Sequence, residues 1–232
     1  MLPAAGVIFG IAALFAGVVY VVADQVFGEG TGHFGSPEFG LALQLILLQV
    51  GVIVLTIVAA GFFGSDRWEV LALRKPRGGW RVMWLALIPM FAVTGIWTAL
   101  IMWLAPDVLI GDLRIFKELL ESDAALLAFI AIAIGAPLSE ELMFRGFLYS
   151  GLAKSLLGLI GTGILTALLW TALHVGYSVF GLIEVLVIGF YFSWLLVRTG
   201  SAWVTIFCHA VYNAVIAVAL YFVTLPPAVQ AG

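Results

Sequence analysis

Side chains able to do acid–base chemistry stand in the apolar second half of this chain. Inside its apolar runs lie seven charged or imidazole-bearing residues: Glu140, Glu141, Arg145, His174, Glu184, Arg198 and His209. A charged group at the centre of a membrane helix costs about 2.5–3.5 kcal/mol on insertion scales, so such groups are rare and mark functional sites. Carboxylates accept protons and imidazoles carry them. We therefore expect a catalytic site inside the membrane.

The two adjacent glutamates have different expected roles. Glu141 and Arg145 are four residues apart, so they share a helix face and can pair directly. The residue four beyond Glu140 is Phe144, which leaves this carboxylate without a local partner and able to face another helix. We therefore predict that Glu141 is committed to an ion pair and that Glu140 is the general base.

Two further four-residue steps bring in the imidazoles. His174 follows Trp170 by one turn, so the indole is expected to pack beside the imidazole. His209 and Asn213 share a second face, where the amide can steady a developing oxyanion. A base, two imidazoles and an amide are sufficient to add water to an amide carbonyl without a covalent enzyme intermediate.

Each of these residues also has a purely structural interpretation. A lone membrane histidine more often joins two helices by a hydrogen bond than performs catalysis. The Glu141–Arg145 pair alone is typical of a structural contact, and we expect a structural or gating role for Glu184. Cys208 reads as a small packing residue. The prediction of chemistry depends on the whole set.

The composition indicates a polytopic membrane protein. The chain has 232 residues, of which 64% are hydrophobic and 10% charged, against about 25% charged in soluble domains. Because a crossing helix needs about 20 apolar residues, we predict an all-α transmembrane bundle of seven spans within one domain, 1–232. The spans are approximately 5–27, 40–63, 82–105, 124–152, 157–178, 180–198 and 202–224.

Two further features concern topology. The loop between the second and third spans is basic, so we place it and the N-terminus in the cytoplasm. Its cations are Arg67, Arg74, Lys75, Arg77 and Arg81. The segment 106–123 is expected to be a short amphipathic helix at the interface. Pro137 is expected to kink the long fourth span just before the glutamates.

Three ordered motifs resemble one known family. SEELMFRG at 139–146 resembles the EExxxR signature of the CAAX protease and bacteriocin-processing (Abi) family of intramembrane proteases. WTALH at 170–174 and HAVYN at 209–213 stand where this family has its two histidine motifs. The resemblance covers about 130–216, and we take 124–216 as the expected catalytic core. The N-terminal third resembles the family only in being helical and apolar.

The resemblance implies an intramembrane endopeptidase related to the type II CAAX prenyl protease. Carried over by motif position, Glu140 and His174 would hold and activate the catalytic water, and His209 with Asn213 would stabilise the oxyanion. Glu141 with Arg145 would support the site.

A zinc ion is the alternative to metal-free chemistry in this resemblance. Zinc would be held by Glu140, His174 and His209 with an open position for water. Asn213 beside His209 suits an oxyanion better than a metal shell, so we favour a site without a resident metal or other cofactor.

The expected partners are a peptide or lipidated-peptide substrate and membrane lipids, with no nucleic acid. We expect location in a bacterial or archaeal cell membrane. A proton-coupled carrier is one alternative, because buried Glu and His also form proton relays, although no inverted repeat is evident. A non-catalytic immunity or scaffold protein is another, although every motif residue is present.

Overall fold

The computed structural model describes residues 1–27, 36–64 and 66–225, and within these ranges the chain is helical, with no strand. We number nine helices in this described part. They are α1 (Leu2–Phe27), α2 (Pro37–Ala60), α3 (Arg67–Val70), α4 (Arg81–Leu104), α5 (Pro106–Glu121), α6 (Ala125–Leu152), α7 (Gly158–Ala172), α8 (Val179–Thr199) and α9 (Ala202–Phe222). The predicted all-α bundle is therefore confirmed.

Six of these helices are long and apolar enough to cross a membrane: α1, α2, α4, α6, α8 and α9. The predicted fifth span, 157–178, is wrong in length. Its helix, α7, has 15 residues and is about 22 Å long, shorter than the roughly 30 Å hydrocarbon core. The helix ends at Ala172 and is followed by a hydrogen-bonded turn. Ser178 then caps the start of α8.

Helix α6 lies at the centre of the bundle. All nine residues from Glu141 to Tyr149 are buried, so this part of the helix has protein around its whole circumference. It packs against α2, α7 and α9, whereas α1 packs mainly against α2 at the periphery. Glu141 therefore lies in a fully enclosed part of α6, and Glu140 lies at the edge of this part.

Pro137 lies within α6 without ending it. The helix changes to π-helical geometry at Ala131–Gly135, immediately before the proline, and again at Leu142–Leu148. In such a turn an N–H bonds the carbonyl five residues back, as that of Ala136 does with Ala131. Two π-helical stretches thus flank the α-helical segment Ala136–Glu141, which carries both glutamates, and the kink expected at Pro137 stays a prediction.

The connection between α3 and α4 is fixed to the turn between α8 and α9. The N–H of Ala202 donates to the carbonyl of Ala72 at 2.9 Å, and the N–H of Arg77 donates to the carbonyl of Thr199 at 2.8 Å. These backbone hydrogen bonds require the two segments to run next to each other. The basic loop is therefore held in a defined conformation by the rest of the fold.

Helix α5 confirms a helix in the segment 106–123, and Lys117, Leu119 and Leu120 in its second half are buried against the bundle. Lys117 is 6% exposed, its Nζ lies 2.7 Å from a carboxylate oxygen of Glu121, and it donates to the carbonyl of Tyr221 at 3.3 Å. Helix α5 packs against α4, α6 and α9. It is thus attached to the core of the bundle along one side.

Candidate active site

Glu141 and Arg145 form a fully buried ion pair on α6. Arg145 Nη1 donates to Glu141 Oε1 at 2.9 Å, and both side chains are 0% exposed. The pair predicted from the four-residue spacing is therefore confirmed. Arg145 Nη2 also donates to the carbonyl of Gly189 on α8 at 3.2 Å. A buried charge that loses its partner is strongly destabilising. The bond from Arg145 to Gly189 therefore favours one orientation of α6 relative to α8.

His209 on α9 contacts the same carboxylate. Its Nδ1 lies 3.2 Å from Glu141 Oε1, a contact that the sequence did not predict. An ionised carboxylate only accepts, so Nδ1 carries a proton in this arrangement. A neutral His209 then presents a lone pair at Nε2, and only the imidazolium presents an N–H there. Glu141 therefore orients His209 as well as pairing with Arg145.

Glu140 faces α7, in agreement with the expectation that it faces another helix. The indole N–H of Trp170 donates to Glu140 Oε2 at 2.5 Å. Whereas Glu141 is fully buried, Glu140 is partly exposed. Within the described residues no second hydrogen bond reaches this carboxylate, so Oε1 can accept one from a water molecule.

Trp170 contacts both imidazoles. Its ring centroid is 5.2 Å from that of His174 and 5.5 Å from that of His209, and both contacts are edge-to-face. The guanidinium carbon of Arg145 lies 4.5 Å from the indole centroid. The predicted packing of Trp170 beside His174 is confirmed. Its other contacts were missed, although the need of a buried indole N–H for an acceptor was a usable signal.

His174 lies beyond the end of α7 and is held by the helix terminus. Its Nδ1 is 3.0 Å from the carbonyl oxygen of Trp170. A carbonyl only accepts, so Nδ1 carries the proton and the neutral ring presents an acceptor at Nε2. The ring is partly exposed. His174 and Glu140 therefore both offer an acceptor to water, and both are attached to Trp170.

Asn213 and Gln49 supply hydrogen bonds to the π-helical stretch of α6. Asn213 Nδ2 donates to the carbonyl of Ile132 at 2.9 Å, and Gln49 Nε2 donates to that of Ala131 at 3.1 Å. Ile132 is five residues before Pro137, which has no N–H to offer it. The Asn213 amide has a second N–H, which this bond does not use. Gln49 was not singled out in the sequence.

The other residues noted in the sequence lie in structural contacts. The Tyr212 hydroxyl donates to Glu184 Oε1 at 2.7 Å, joining α9 to α8. Cys208 is buried, with its Sγ 3.8 Å from the carbonyl oxygen of Met83. Arg198 is exposed at the end of α8.

The described residues do not group three metal-binding side chains. Within that part of the chain, no three side chains of His, Cys, Asp or Glu are placed so that they could hold one ion. The candidate zinc ligands Glu140, His174 and His209 do not form such a group. We derive no chemical step through a metal.

Comparison with known proteins agrees with the motif resemblance. Residues 122–215 match the family model described as type II CAAX prenyl endopeptidase Rce1-like, a range that includes all three motifs. Comparisons with curated proteins and with solved structures gave no match. The resemblance stated from the sequence is therefore confirmed over this range. The segment 122–215, less than half of the chain, is therefore similar to the Rce1-like type II CAAX prenyl endopeptidases.

Proposed function

We propose that this chain is an intramembrane endopeptidase that hydrolyses a peptide bond by direct attack of water. The observation that carries the proposal is the convergence on Trp170. This residue donates to Glu140 at 2.5 Å, and its ring makes edge-to-face contacts with the imidazoles of His174 and His209. A carboxylate and two imidazoles are thus gathered on α6, on the turn after α7 and on α9, within the segment that matches a protease family.

Glu140 and His174 activate the water in this proposal. Glu140 Oε1 and His174 Nε2 each accept a hydrogen bond from the same molecule. Glu140 removes one proton as the water oxygen bonds to the scissile carbonyl carbon, which becomes tetrahedral. The same carboxyl then gives this proton to the amide nitrogen as the carbon–nitrogen bond breaks. The products are an amine and a carboxylic acid, which carries the second water proton until it passes to solvent, and no bond to the enzyme forms.

His209 and Asn213 stabilise the negative charge on the former carbonyl oxygen. Two donors at such an oxyanion are typical of enzymes that hydrolyse amides, and removing one costs about 10²–10³-fold in kcat. Asn213 has a second N–H available beside its bond to Ile132. His209 must be an imidazolium to donate from Nε2, because its Nδ1 proton faces Glu141.

Glu141 and Arg145 are supporting residues in this mechanism. They are fully buried, and their contacts to His209 and to the carbonyl of Gly189 join α6 to α9 and α8. They set where Glu140 and His209 lie without touching the substrate. Residues 124–216 then form the catalytic core.

We further propose a prenylated or other lipidated peptide as the substrate. The basis is the family of the segment 122–215 together with a site on helices that can cross a membrane. The basic loop after α2 favours a cytoplasmic N-terminus, and a bacterial or archaeal cell membrane is the proposed location. The proposed substrate and the proposed location both extend the family resemblance. Cleavage of a prenylated peptide tests the proposed substrate.

The test is cleavage of an internally quenched, prenylated CAAX peptide by the purified protein in detergent. We expect Glu140→Gln to lower kcat by about 10²–10⁴-fold, the usual contribution of a general base. Glu118→Gln is the matched control, because Glu118 is an exposed carboxylate on α5. Full activity in a folded Glu140→Gln variant would overturn the mechanism.

Two further arms separate the parts of the proposal. A zinc chelator is expected to leave cleavage unchanged. Loss of activity that added zinc restores would contradict metal-free chemistry. If the wild-type protein cleaves only the unprenylated form of the peptide, the lipidated substrate is withdrawn and the endopeptidase remains.

A further inference from the structure

The turn that carries His174 is tied to α5, a helix outside the three motifs. The carboxylate of Asp112 receives two hydrogen bonds from Ser178: from the backbone N–H at 2.7 Å and from the hydroxyl at 2.6 Å. Ser178 is also the N-cap of α8, where its hydroxyl accepts from the N–H of Gly181 at 3.2 Å. A carboxylate at this end of a helix is favoured by the helix dipole.

A second contact from α5 reaches the same turn. Phe116, one helical turn after Asp112, packs edge-to-face against Tyr177 with ring centroids 6.0 Å apart. The ring centroids of Tyr177 and His174 are 5.4 Å apart, and the backbone N–H of Tyr177 donates to the backbone carbonyl of His174 at 2.9 Å. Two side chains on one face of α5 therefore hold the segment on which the imidazole stands.

Few other hydrogen bonds of the described residues hold the turn 173–178 in place. Among the described hydrogen bonds of residues 173–178, those that leave α7 and α8 both end on Asp112. The carboxylate also lies close against the first turn of α8. A Cβ added at Gly181 would stand 2.7 Å from Asp112 Oδ2, so glycine is required there for the approach.

We propose that Asp112 is a positioning residue for His174. By fixing Ser178, it sets the path of the turn 173–178 and so the place of the imidazole relative to Glu140. The role in catalysis rests on the proposed function, in which His174 holds the water. A displacement of about 1 Å in a reacting group can cost 10²-fold in rate. Loss of the hydrogen bonds between Asp112 and Ser178 is therefore expected to lower kcat.

The variants follow from the hydrogen bonds. Asp112→Ala removes both acceptors. Asp112→Asn keeps one oxygen for the Ser178 N–H and offers an amide N–H to the hydroxyl, so it is the conservative rescue. Ser178→Ala leaves the backbone bond in place. Asp107→Ala is the matched control, because Asp107 is an exposed carboxylate on the first turn of the same helix.

Steady-state cleavage of the prenylated peptide is the first measurement. We expect Asp112→Ala to lower kcat by about 10–100-fold with KM changed less than about threefold. Asp112→Asn should recover most of the loss, and Ser178→Ala should fall between them. An unchanged kcat, or a rise in KM alone, would overturn the proposal. If Asp112→Ala does not fold, Asp112→Asn and Ser178→Ala decide it by the same order of effects.

The second measurement does not depend on activity. Diethyl pyrocarbonate modifies accessible imidazoles, and the modified peptide is quantified by mass spectrometry. We expect His174 in Asp112→Ala to react several-fold faster than in the wild-type protein, while the buried His209 stays as slow as before. Equal rates at His174 would contradict the positioning role. If the wild-type protein shows no cleavage, the proposed function fails, and this labelling still decides whether Asp112 holds His174.

Discussion

The indole N–H of Trp170 and the carboxylate of Glu140 are joined by a hydrogen bond of 2.5 Å between α7 and α6. The bond orients the carboxylate that we propose as the base, and it leaves one carboxylate oxygen for water. It also places the indole ring against both imidazoles. One aromatic side chain thus connects the three groups that would perform the hydrolysis.

The first prediction concerns this hydrogen bond. Trp170→Phe keeps an aromatic ring under Arg145 but removes the donor to Glu140. A hydrogen bond to a charged group contributes about 1.5–3 kcal/mol, so we expect kcat to fall by about 10–100-fold while the protein remains folded. Peptide cleavage and thermal unfolding in detergent measure the two effects. Trp203→Phe, at an exposed indole, is the control. Wild-type kcat in Trp170→Phe would show that the donor does not orient the base.

The second prediction separates the two glutamates. Glu141→Gln leaves the Arg145 guanidinium without its charge partner in a fully buried place, so the main expected loss is about 3–5 kcal/mol of stability. Glu140→Gln should lose activity with little change in the unfolding temperature. Activity in Glu141→Gln is expected to fall but to remain measurable. Total loss of turnover in both variants, each well folded, would refute this division of roles.

The third prediction tests the close approach of α7 to α8. A Cβ added at Gly189 would lie 3.1 Å from Ala167 Cβ and 3.3 Å from Trp170 Cε3. Overpacking of this kind typically costs about 1–3 kcal/mol, and here it would also push the indole. We expect Gly189→Ala to lower both the unfolding temperature and kcat. Gly95→Ala on α4, where an added Cβ meets nothing within 4 Å, should not destabilise the protein.

The fourth prediction distinguishes the two amides that serve α6. Gln49→Leu removes the donor to the Ala131 carbonyl, so we expect about 1 kcal/mol of lost stability with kcat nearly unchanged. Asn213→Leu removes the donor to Ile132 and also the proposed oxyanion donor, so stability and kcat should both fall. If Asn213→Leu loses only stability, Asn213 does not serve the oxyanion.

The fifth prediction concerns Tyr177 in the turn beside His174. Burial raises the pKa of Tyr177, and the charges of Glu140, Asp112 and Glu184 raise it further. A phenol with a raised pKa stabilises the fold below its unfolded value of about 10, and this contribution is lost as the pH rises above it. Tyr177→Phe should therefore flatten the decline of the unfolding temperature above about pH 10. Tyr221→Phe, at an exposed phenol, should leave that decline as in the wild type.

The sequence by itself determined the features that depend on local helix geometry. Apolar runs predicted the six helices that can cross a membrane, and the four-residue spacing of Glu141 and Arg145 predicted their buried pair. Residues one turn apart share a face whatever the rest of the fold does. The same rule predicted the packing of Trp170 beside His174.

Only the tertiary structure decided which helices meet and at what depth. Trp170 reaches Glu140 across 30 residues, and His209 reaches Glu141 across 68. The early end of α7 also escaped prediction, because the apolar run continues past Ala172 while the backbone turns. Leu173 and Val175 keep the sequence apolar in the turn after the helix, so composition cannot mark the boundary. Contacts between distant helices depend on how the whole bundle packs, and no local pattern contains that information.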